Sequence, residues 1–360
     1  MSQIDGPESA GTARYLQADP VRAYISAVFA AKGMPAADAA VAAEALVRAD
    51  LRGVWSHGVA RVPMYCDRLD HGAAKADPAI KVERVAPAAA LVDGDDGLGL
   101  VVARRAMAEA IALAEGSGIG LAGTRRSGHF GMAGLYALQA VEAGCIGMVF
   151  TNASRALPPF GAAEPFFGTS PMAFGVPTPE GKCLLVDLSM SRIARGKLKF
   201  AAQRGQPIPE GYALDAQGRP TTDGQAAFEG IMLPFGEHKG AALAWLMDVL
   251  GGVFTGAVFG GRTANPFRDL DRPQGTGHLF IAIRADLFMA LGALNERMGE
   301  LDDRVKALPR AEGFDDILSP GEPEARSEAR LGKIGIPLTP DVLDTLRATG
   351  DAARVPWPFD

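Results

Sequence analysis

The chain has 360 residues, of which 48% are hydrophobic and 22% charged, and this composition excludes a disordered or fibrous protein. Its net charge of -6 argues against nucleic acid or an anionic membrane as a partner. The cysteines Cys66, Cys145 and Cys183 form no CxxC pair, which argues against a disulfide framework or zinc site and favours a cytoplasmic protein. The five histidines form no HxxxH pair, so we expect no metal site.

The first part of the chain predicts a short extension followed by helices. Residues 1–17 contain neither a basic leader nor a continuous apolar stretch, and we predict a flexible N-terminal extension without a secretory signal. Residues 20–69 predict three helices, with breaks at residues 33–35 and 53–55. We therefore expect a helical N-terminal module over residues 18–85.

From about residue 80 the pattern alternates between strands and helices. The hydrophobic pattern predicts, in order, strands at 80–82 and 90–92, a helix at 101–114, a strand at 120–124, a helix at 132–143 and a strand at 146–151. Residues 158–179 predict surface loops and short strands, residues 183–187 a further strand, and residues 204–225 a long exposed loop. This texture is typical of an α/β fold.

The last part of the chain contains one stretch that we weigh as a membrane span. Residues 241–260 are nearly all apolar and long enough to cross a bilayer. Asp248 lies within the stretch and four glycines divide it, so we predict a buried helix over residues 234–253 instead. The remaining predicted elements are a strand at 278–283, a final helix near 285–298 and a turn-rich section at 319–337 that could reach over a partner or ligand.

The strongest cluster of polar residues begins at Ser56, a candidate helix N-cap. At helical spacing, His57, Arg61, Tyr65 and Arg68 would form one polar stripe. This combination suits reduction of a 2-oxo acid, because Arg61 can bind the carboxylate while His57 donates a proton to the carbonyl oxygen. In the alternative interpretation, His57 only caps its helix and Arg61 is a solvated surface charge.

A second cluster lies at residues 127–131, where Ser-Gly-His-Phe-Gly follows a predicted strand and precedes a predicted helix. Such a loop presents backbone N–H groups to an anion, and phosphate is a suitable ligand. His129 could stack on a nicotinamide or replace His57 as the acid. An ordinary glycine-rich turn is the alternative.

Three further segments are candidates with simpler alternatives. Lys239 opens the predicted helix after residue 234 and could bind a cofactor phosphate or ribose, although a lysine at this position is usually solvated. Asp187 ends a predicted strand, where it could bind a ribose diol or cap a helix. The hydroxyls of residues 168–171 could meet a substrate carboxylate or stabilise a turn. Residues 97–102 match a dinucleotide fingerprint only partly, because the third glycine and the later acidic residue are missing.

In this order, these clusters closely resemble the malate/L-lactate dehydrogenase family of the second type, whose relatives include ureidoglycolate, sulfolactate and diketogulonate enzymes and piperideine-carboxylate reductases. The resemblance spans roughly residues 20–340. Its motifs are Asp50-Leu51-Arg52-Gly53 with Ser56-His57-Gly58, Gly128-His129-Phe130-Gly131, Gly168-Thr169-Ser170-Pro171, Ala194-Arg195-Gly196-Lys197, His238-Lys239-Gly240 and Pro320-Gly321-Glu322.

The resemblance implies a mixed α/β, non-Rossmann fold like that of sulfolactate dehydrogenase, whereas the alternation alone would suggest a Rossmann domain. Residues 86–284 would bind NAD or NADP on a mixed sheet, and the 18–85 module would pack with residues 285–360. The protein would be a homodimer acting on a small 2-oxo or 2-hydroxy acid.

The resemblance also assigns roles to residues. His57 would be the proton donor with Ser56 as its partner, although some relatives point to His129 as the catalytic group. The substrate-binding residues would be Arg61, Tyr65, Thr169, Arg195 and Gly196. The cofactor-binding residues would be His129, Phe130, Gly131, Met132, Ala133, Asp187, Leu188, Ser189, His238, Lys239, Pro320, Gly321, Glu322 and Arg326.

Three positions depart from the family pattern. Trp55 stands where many relatives have aspartate and could shield the substrate pocket, and Glu237 replaces a more usual glycine. Lys197 stands where imine reductases would carry aspartate, which favours hydroxy-acid chemistry. Reduction of a cyclic imine or N-alkyl 2-imino acid is the alternative activity, and an NAD(P)-binding sensor without catalysis is the alternative of another class. The choice between NAD and NADP stays open.

Overall fold

The computed structural model describes residues 7–10 and 12–359. The strands and helices, in chain order, are β1 (Arg14–Leu16), α1 (Ala18–Ala31), α2 (Ala36–Leu51), α3 (Val62–Asp70), β2 (Lys81–Ala86), β3 (Ala89–Asp93), α4 (Gly99–Ser117), β4 (Ile119–Ser127), α5 (Gly134–Glu142), β5 (Cys145–Thr151), β6 (Met172–Pro177), β7 (Cys183–Leu188), α6 (Arg195–Gln203), β8 (Ala213–Leu214), β9 (Pro220–Thr221), α7 (Gly224–Glu229), β10 (Ile231–Met232), α8 (His238–Asp248), β11 (Thr276–Arg284), α9 (Leu291–Lys306), α10 (Glu322–Ile334), β12 (Ile336–Leu338) and α11 (Pro340–Ala352).

A seven-stranded sheet forms the centre of the fold, in the order β2-β3-β4-β11-β5-β6-β7. Only β3 and β4 pair in parallel, and the other neighbours are antiparallel. The late strand β11 lies between β4 and β5 and is buried along most of its length, as expected for a central strand. This is a mixed sheet, and the predicted non-Rossmann fold is confirmed.

Two helices pack closely on one face of this sheet. The side of α4 that faces β4 carries small residues, and a Cβ added to Gly120 would lie 2.0 Å from the Ala110 carbonyl oxygen. A Cβ added to Gly147 on β5 would lie 2.7 Å from the Cβ of Ala140 on α5. Glycine in these strands therefore permits the close helix–sheet approach that places the ends of β4 and β7 beside the start of α5.

The helices α1, α2 and α3 share a core with the C-terminal segment. Leu331, Ile336, Leu338 and Leu346 are buried in the same cluster as these helices. The Glu328 carboxylate on α10 pairs with Arg48 of α2 and with Arg52, the residue that follows this helix. These contacts support the predicted association of residues 18–85 with the C-terminal segment, and the division into domains stays a prediction.

Several elements differ from the sequence predictions. Residues 14–16, inside the predicted extension, form β1, which pairs with β12 and is held by it. The predicted loop at 204–225 contains β8 and β9 and leads into α7. The section at 319–337 is mostly the helix α10, and α9 is therefore not the final helix. Pro323 and two glutamates in the first turn of α10, with Lys333 in the last, are the usual signals of a helix.

The helix expected at Ser56 also begins later. Two short 3-10 turns, Trp55–His57 and Val59–Arg61, precede α3, and the Ser56 side chain caps no helix. Gly58 between them has extended backbone angles, which interrupts the helix. The apolar stretch at 241–260 divides into α8, a π-helical turn at Val249–Val253 and a loop, and none of the described helices combines the length and apolarity that a bilayer span needs.

Candidate active site

Two histidines that are far apart in sequence stack on each other. The ring centroids of His57 and His129 lie 5.6 Å apart with an interplanar angle of 11°. Ser56 Oγ lies 2.8 Å from His57 Nδ1, and Tyr65 Oη lies 2.6 Å from His129 Nδ1. The structure thus brings together four of the residues that the sequence analysis selected, and it engages Nδ1 of both rings. Nε2 is the atom of each ring left for proton exchange.

The two rings differ in the hydrogen-bonding state of Nδ1. Burial raises the pKa of Tyr65, so its hydroxyl stays protonated and can donate to His129 Nδ1. A neutral His129 that accepts at Nδ1 carries its proton on Nε2 and acts there as a donor. Ser56 can either donate to or accept from His57, so Nε2 of His57 can take up or release a proton.

The electrostatic surroundings keep both rings neutral. The pKa of His57 is lowered to about 4, mainly by burial and to a smaller extent by the positive charge of nearby Arg61. Burial, and then the electrostatic influence of the neighbouring His57 and Arg61, holds the pKa of His129 well below its usual value. A carboxylate bound at Arg61 would offset part of this positive charge and raise the pKa of His57.

Arg61 is fixed beside the histidine pair. Its Nε donates to the Ser56 carbonyl oxygen at 2.6 Å, and the guanidinium carbon lies 5.0 Å from the ring centroid of Phe267. These contacts leave the two terminal nitrogens, which have the planar geometry that binds a carboxylate.

A buried carboxyl supports the turn that carries His57. Asp50 Oδ2 accepts the backbone N–H of Val59 at 2.9 Å, and a Cβ added to Gly58 would lie 1.8 Å from Asp50 Oδ1. Burial raises the pKa of Asp50 to about 8. The carboxyl therefore fills the space that glycine leaves. In the sequence, Asp50 belongs to the family motif, but no role is predicted for it.

The loop of His129 leads into α5 through buried residues. Phe130 stacks on His278 with a centroid distance of 4.6 Å, and Tyr136 Oη donates to the Phe130 carbonyl oxygen at 2.6 Å. Gly131 has a φ of +75°, and a Cβ there would lie 3.1 Å from the Leu100 side chain. Met132 and Ala133 are buried as well. The loop therefore requires glycine at 131 and holds its backbone rigidly at the helix start.

Asp187 and the turn at Pro320 meet at this helix start. Asp187 Oδ2 accepts the Gly134 N–H at 2.6 Å, and the protein atoms packed around the carboxyl raise its pKa to about 6, although part of the residue remains exposed. Leu185 donates its N–H to the Pro320 carbonyl oxygen at 3.0 Å, and a Cβ on Gly321 would lie 2.6 Å from Leu185 Cβ. Three of the predicted cofactor segments therefore converge at one place.

Glu322 and Arg326 are engaged with charged neighbours. Glu322 pairs with Lys306 at 2.9 Å and with Arg326 at 2.6 Å, and Arg326 also contacts Asp316 at 3.2 Å. A cofactor phosphate at Arg326 would have to compete with these carboxylates, so its predicted role needs a rearrangement of these ion pairs.

The remaining predicted residues form a separate group. The carbonyl oxygen of Thr169 accepts the Met190 N–H at 2.7 Å, and Phe235 donates to the Met190 carbonyl oxygen at 3.0 Å. These bonds link the segment that contains Leu188 and Ser189 to the start of α8. His238 and Lys239 are exposed there, and Arg195 and Gly196 are exposed at the start of α6. Within residues 7–10 and 12–359, we find no direct contact between this group and the histidine pair.

One sequence expectation near the site needs correction, and the shielding role of Trp55 stays a prediction. Arg68 does not share the polar stripe, because it is 2% exposed and donates to the carbonyl oxygens of Ala73, Asp269 and Arg272, each at 3.1 Å. Trp55 packs against the core of the N-terminal helices. No sequence pattern predicted a role for Gln274, whose Oε1 accepts the His129 backbone N–H at 2.8 Å from 145 positions away.

Comparison with known proteins identifies the family. A sequence profile described as malate/L-lactate dehydrogenase matches residues 16–347. An L-sulfolactate dehydrogenase of Methanothermobacter thermautotrophicus is 38% identical over 325 residues, which cover 89% of this chain and 92% of the relative. A (2R)-3-sulfolactate dehydrogenase (NADP(+)) of Chromohalobacter salexigens is 40% identical over 256 residues, which cover 71% of this chain and 77% of the relative.

A solved structure agrees with this result. The sulfolactate dehydrogenase from Methanocaldococcus jannaschii superimposes with a TM-score of 0.90 at 36% identity, covering 95% of this chain and 98% of that chain. The similarity thus includes both the sequence and the fold over nearly the whole length. The chain belongs to the malate/L-lactate dehydrogenase family.

Proposed function

We propose that the protein is an NAD(P)-dependent dehydrogenase that interconverts a small 2-oxo acid and the corresponding 2-hydroxy acid. The observation that carries this proposal is the placement of Arg61 beside the stacked His57 and His129 rings. An anion-binding guanidinium next to a titratable imidazole matches the two demands of a 2-oxo acid, a carboxylate to hold and an oxygen that gains or loses a proton.

Each residue of the site has a distinct task. The terminal nitrogens of Arg61 bind the substrate carboxylate, and His57 Nε2 exchanges the proton of the C2 oxygen. Ser56 orients the His57 ring, and Tyr65 fixes His129 so that its Nε2–H can donate to the substrate. In the oxidation direction the neutral His57 accepts the proton, and in the reduction direction its protonated form releases it. Thr169, Arg195 and Gly196 would complete the substrate site.

The residues around the start of α5 fit a dinucleotide. The loop from His129 to Ala133 precedes a helix N-terminus, and Gly131 provides a positive φ that a larger residue would strain. Asp187 offers a carboxyl oxygen for a ribose hydroxyl. NAD or NADP, when bound, supplies or accepts the hydride. The further holding residues would be Phe130, Met132, Leu188, Ser189, His238, Lys239, Pro320, Gly321, Glu322 and Arg326.

Replacement of His57 tests the proposed proton exchange. We expect His57→Asn to lower kcat by about 10²- to 10⁴-fold, the usual contribution of a positioned acid or base, with NAD(P)H affinity nearly unchanged. His71→Asn is the matched control, because His71 is exposed and its Nδ1 lies 2.8 Å from the Asp67 carbonyl oxygen of α3. Steady-state kinetics and cofactor titration give both quantities. Near-normal turnover of His57→Asn, with a large loss in His129→Asn, would transfer the role to His129.

We further infer that the protein is a cytoplasmic homodimer. Along α8, the π-helical turn and the residue after it, five large apolar side chains are exposed and form an apolar stripe: Trp245, Leu246, Val249, Val253 and Phe254. An exposed apolar stripe of this kind supports an interface with a second copy. The three cysteines are all free thiols, which suits a reducing compartment.

A further inference from the structure

A segment without regular structure contacts both α3 and the loop of His129 through side-chain hydrogen bonds. We call residues 264–274 the strap. At one end, Gln274 accepts the His129 N–H at 2.8 Å and donates from Nε2 to the Ala264 carbonyl oxygen at 3.3 Å. Within the strap, Asp269 Oδ2 accepts the Asn265 N–H at 2.9 Å, and Asn265 Oδ1 accepts the Phe267 N–H at 2.9 Å. Side-chain bonds therefore give the strap a defined shape.

Arg68 holds the middle of the strap through hydrogen bonds to its carbonyl oxygens. Its Nη1 reaches the carbonyl oxygens of Pro266 at 3.5 Å and Asp269 at 3.1 Å, and its Nη2 reaches that of Arg272 at 3.1 Å. Burial lowers the pKa of Arg68, and the charge of Asp269 offsets part of this effect. A buried guanidinium is costly unless its donors are satisfied, so these carbonyl bonds define its function.

The strap places Phe267 against Arg61, the residue proposed to bind the substrate carboxylate. The Phe267 residue is 54% exposed, yet its ring lies 5.0 Å from the guanidinium carbon of Arg61. The ring covers one face of the guanidinium, while Nε is engaged with the Ser56 carbonyl oxygen. A carboxylate is thus directed to the edge formed by the two terminal nitrogens, in the plane of the group.

Building on the proposed function, we propose that Phe267 is a substrate-positioning residue that orients Arg61 for the carboxylate, and that Arg68 positions Phe267 by holding the strap. Phe267 itself exchanges no proton and does not belong to the group of residues that would hold the dinucleotide. Its loss therefore weakens substrate binding and leaves the chemical step and the cofactor affinity unchanged.

Substitution of Phe267 tests this proposal through the split between KM and kcat. Phe267→Ala should raise KM for the 2-oxo acid about fivefold to twentyfold, in keeping with the loss of a partly desolvated cation–π contact, and change kcat by less than about twofold. Phe267→Tyr should restore KM. Phe259→Ala is the matched control, because Phe259 stacks on Arg262 at 4.6 Å in the same way.

Binding of oxalate gives a readout that does not depend on turnover. Oxalate, titrated calorimetrically into the enzyme saturated with NADH or NADPH, should bind Phe267→Ala about fivefold to twentyfold more weakly than wild type. Unchanged KM and oxalate affinity in Phe267→Ala, or an equal loss in Phe259→Ala, would overturn the inference while leaving the proposed function standing. Wild-type protein that binds oxalate but turns over no 2-oxo acid would contradict the proposed function instead, and wild-type protein that does neither would overturn both.

A second variant tests the anchor. Arg68→Lys keeps the charge but cannot reach three strap carbonyls, so amide hydrogen exchange of residues 264–274 should accelerate and KM should rise as in Phe267→Ala. The double variant should then show a KM close to that of either single variant, because both changes remove one interaction. Fully multiplicative effects, or unaltered exchange in Arg68→Lys, would remove Arg68 from the role. If Arg68→Lys fails to fold, Asn265→Ala tests the strap instead, because it removes the acceptor of the Phe267 N–H. An unchanged KM in that variant would overturn the role of the strap.

Discussion

Asp50 determines the local shape of the turn that carries His57. Its carboxyl accepts the Val59 N–H and occupies the space beside Gly58. We expect Asp50→Ala to leave the Val59 N–H without a partner and to cost about 1–3 kcal/mol of unfolding free energy. kcat should fall with it, because His57 and Ser56 lose their support. Asp50→Asn keeps an acceptor oxygen and should retain most of both quantities.

The raised pKa of Asp50 gives this pair of variants a distinct pH dependence. The folded value of about 8 lies above the ordinary value of 3.8, so the folded state binds more protons between these limits. Stability from this group is therefore present at low pH and is lost as pH rises through about 8. Asp50→Asn lacks the titration, and chemical denaturation at pH 6 and pH 9 should show a smaller decline than wild type. An equal decline in both proteins would contradict the assignment.

Local spacing predicted the centre of the site but not its supports. Ser56, His57, Arg61 and Tyr65 lie within ten residues, so a helical pattern sufficed to associate them. The same pattern misplaced Arg68, because Gly58 interrupts the helix and α3 turns Arg68 into the interior. No local signal connects Gln274 or Phe267 to the histidines, since those contacts arise only when distant segments pack together.

The residues after α11 pack against α1 in the core of the N-terminal helices. Tyr24 on α1 donates to the Leu346 carbonyl oxygen at 3.1 Å, and the Trp357 ring meets it edge-on with centroids 5.2 Å apart. Trp357→Ala should lower the unfolding free energy by about 1–3 kcal/mol, because it removes a partly buried aromatic contact, while KM and kcat stay within twofold.

The control for this variant is Phe288→Ala, since Phe288 is 90% exposed and makes little core contact. Urea denaturation followed by fluorescence of the remaining tryptophans or by circular dichroism measures the difference. Equal stability of Trp357→Ala and wild type would show that the residues after α11 do not contribute to this core.

Sequence patterns located most strands and helices but did not predict α10. The strands and helices between residues 81 and 151 follow the predicted alternation closely. The helix α10 was obscured because charged and turn-forming residues dominate its surroundings, even though its ends carry ordinary helix signals. Its place is fixed by tertiary contacts, including the Ser327 hydroxyl that donates to the Leu51 carbonyl oxygen at 2.9 Å.

The order of the strands in the seven-stranded sheet could not be predicted from local sequence patterns. Alternating strands and helices favour a parallel sheet, but β11 enters between β4 and β5 from more than a hundred residues away and makes those pairs antiparallel. Such pairing depends on long-range packing rather than on the sequence of either strand. Only the resemblance to the family predicted the mixed sheet.

The exposed stripe on α8 leads to a prediction about assembly. Phe254 is 68% exposed, and a charge there should prevent burial against a second copy. We expect wild type to be a dimer by light scattering and Phe254→Glu to be a folded monomer. Phe314→Glu, at a position 59% exposed outside the stripe, should remain dimeric. A monomeric wild type would contradict the proposed dimer, and dissociation of Phe314→Glu alone would place the interface elsewhere.

Oxidation of NADH and NADPH by the wild-type protein tests the proposed function most directly. The assay uses a panel of 2-oxo acids, including pyruvate, oxaloacetate and longer or aromatic members, each with and without methylamine. The proposed function predicts turnover of at least one acid without amine and identifies the preferred cofactor. Turnover only in the presence of methylamine would contradict it in favour of imine reduction. Cofactor binding with no turnover across the panel would contradict it in favour of an NAD(P)-binding sensor.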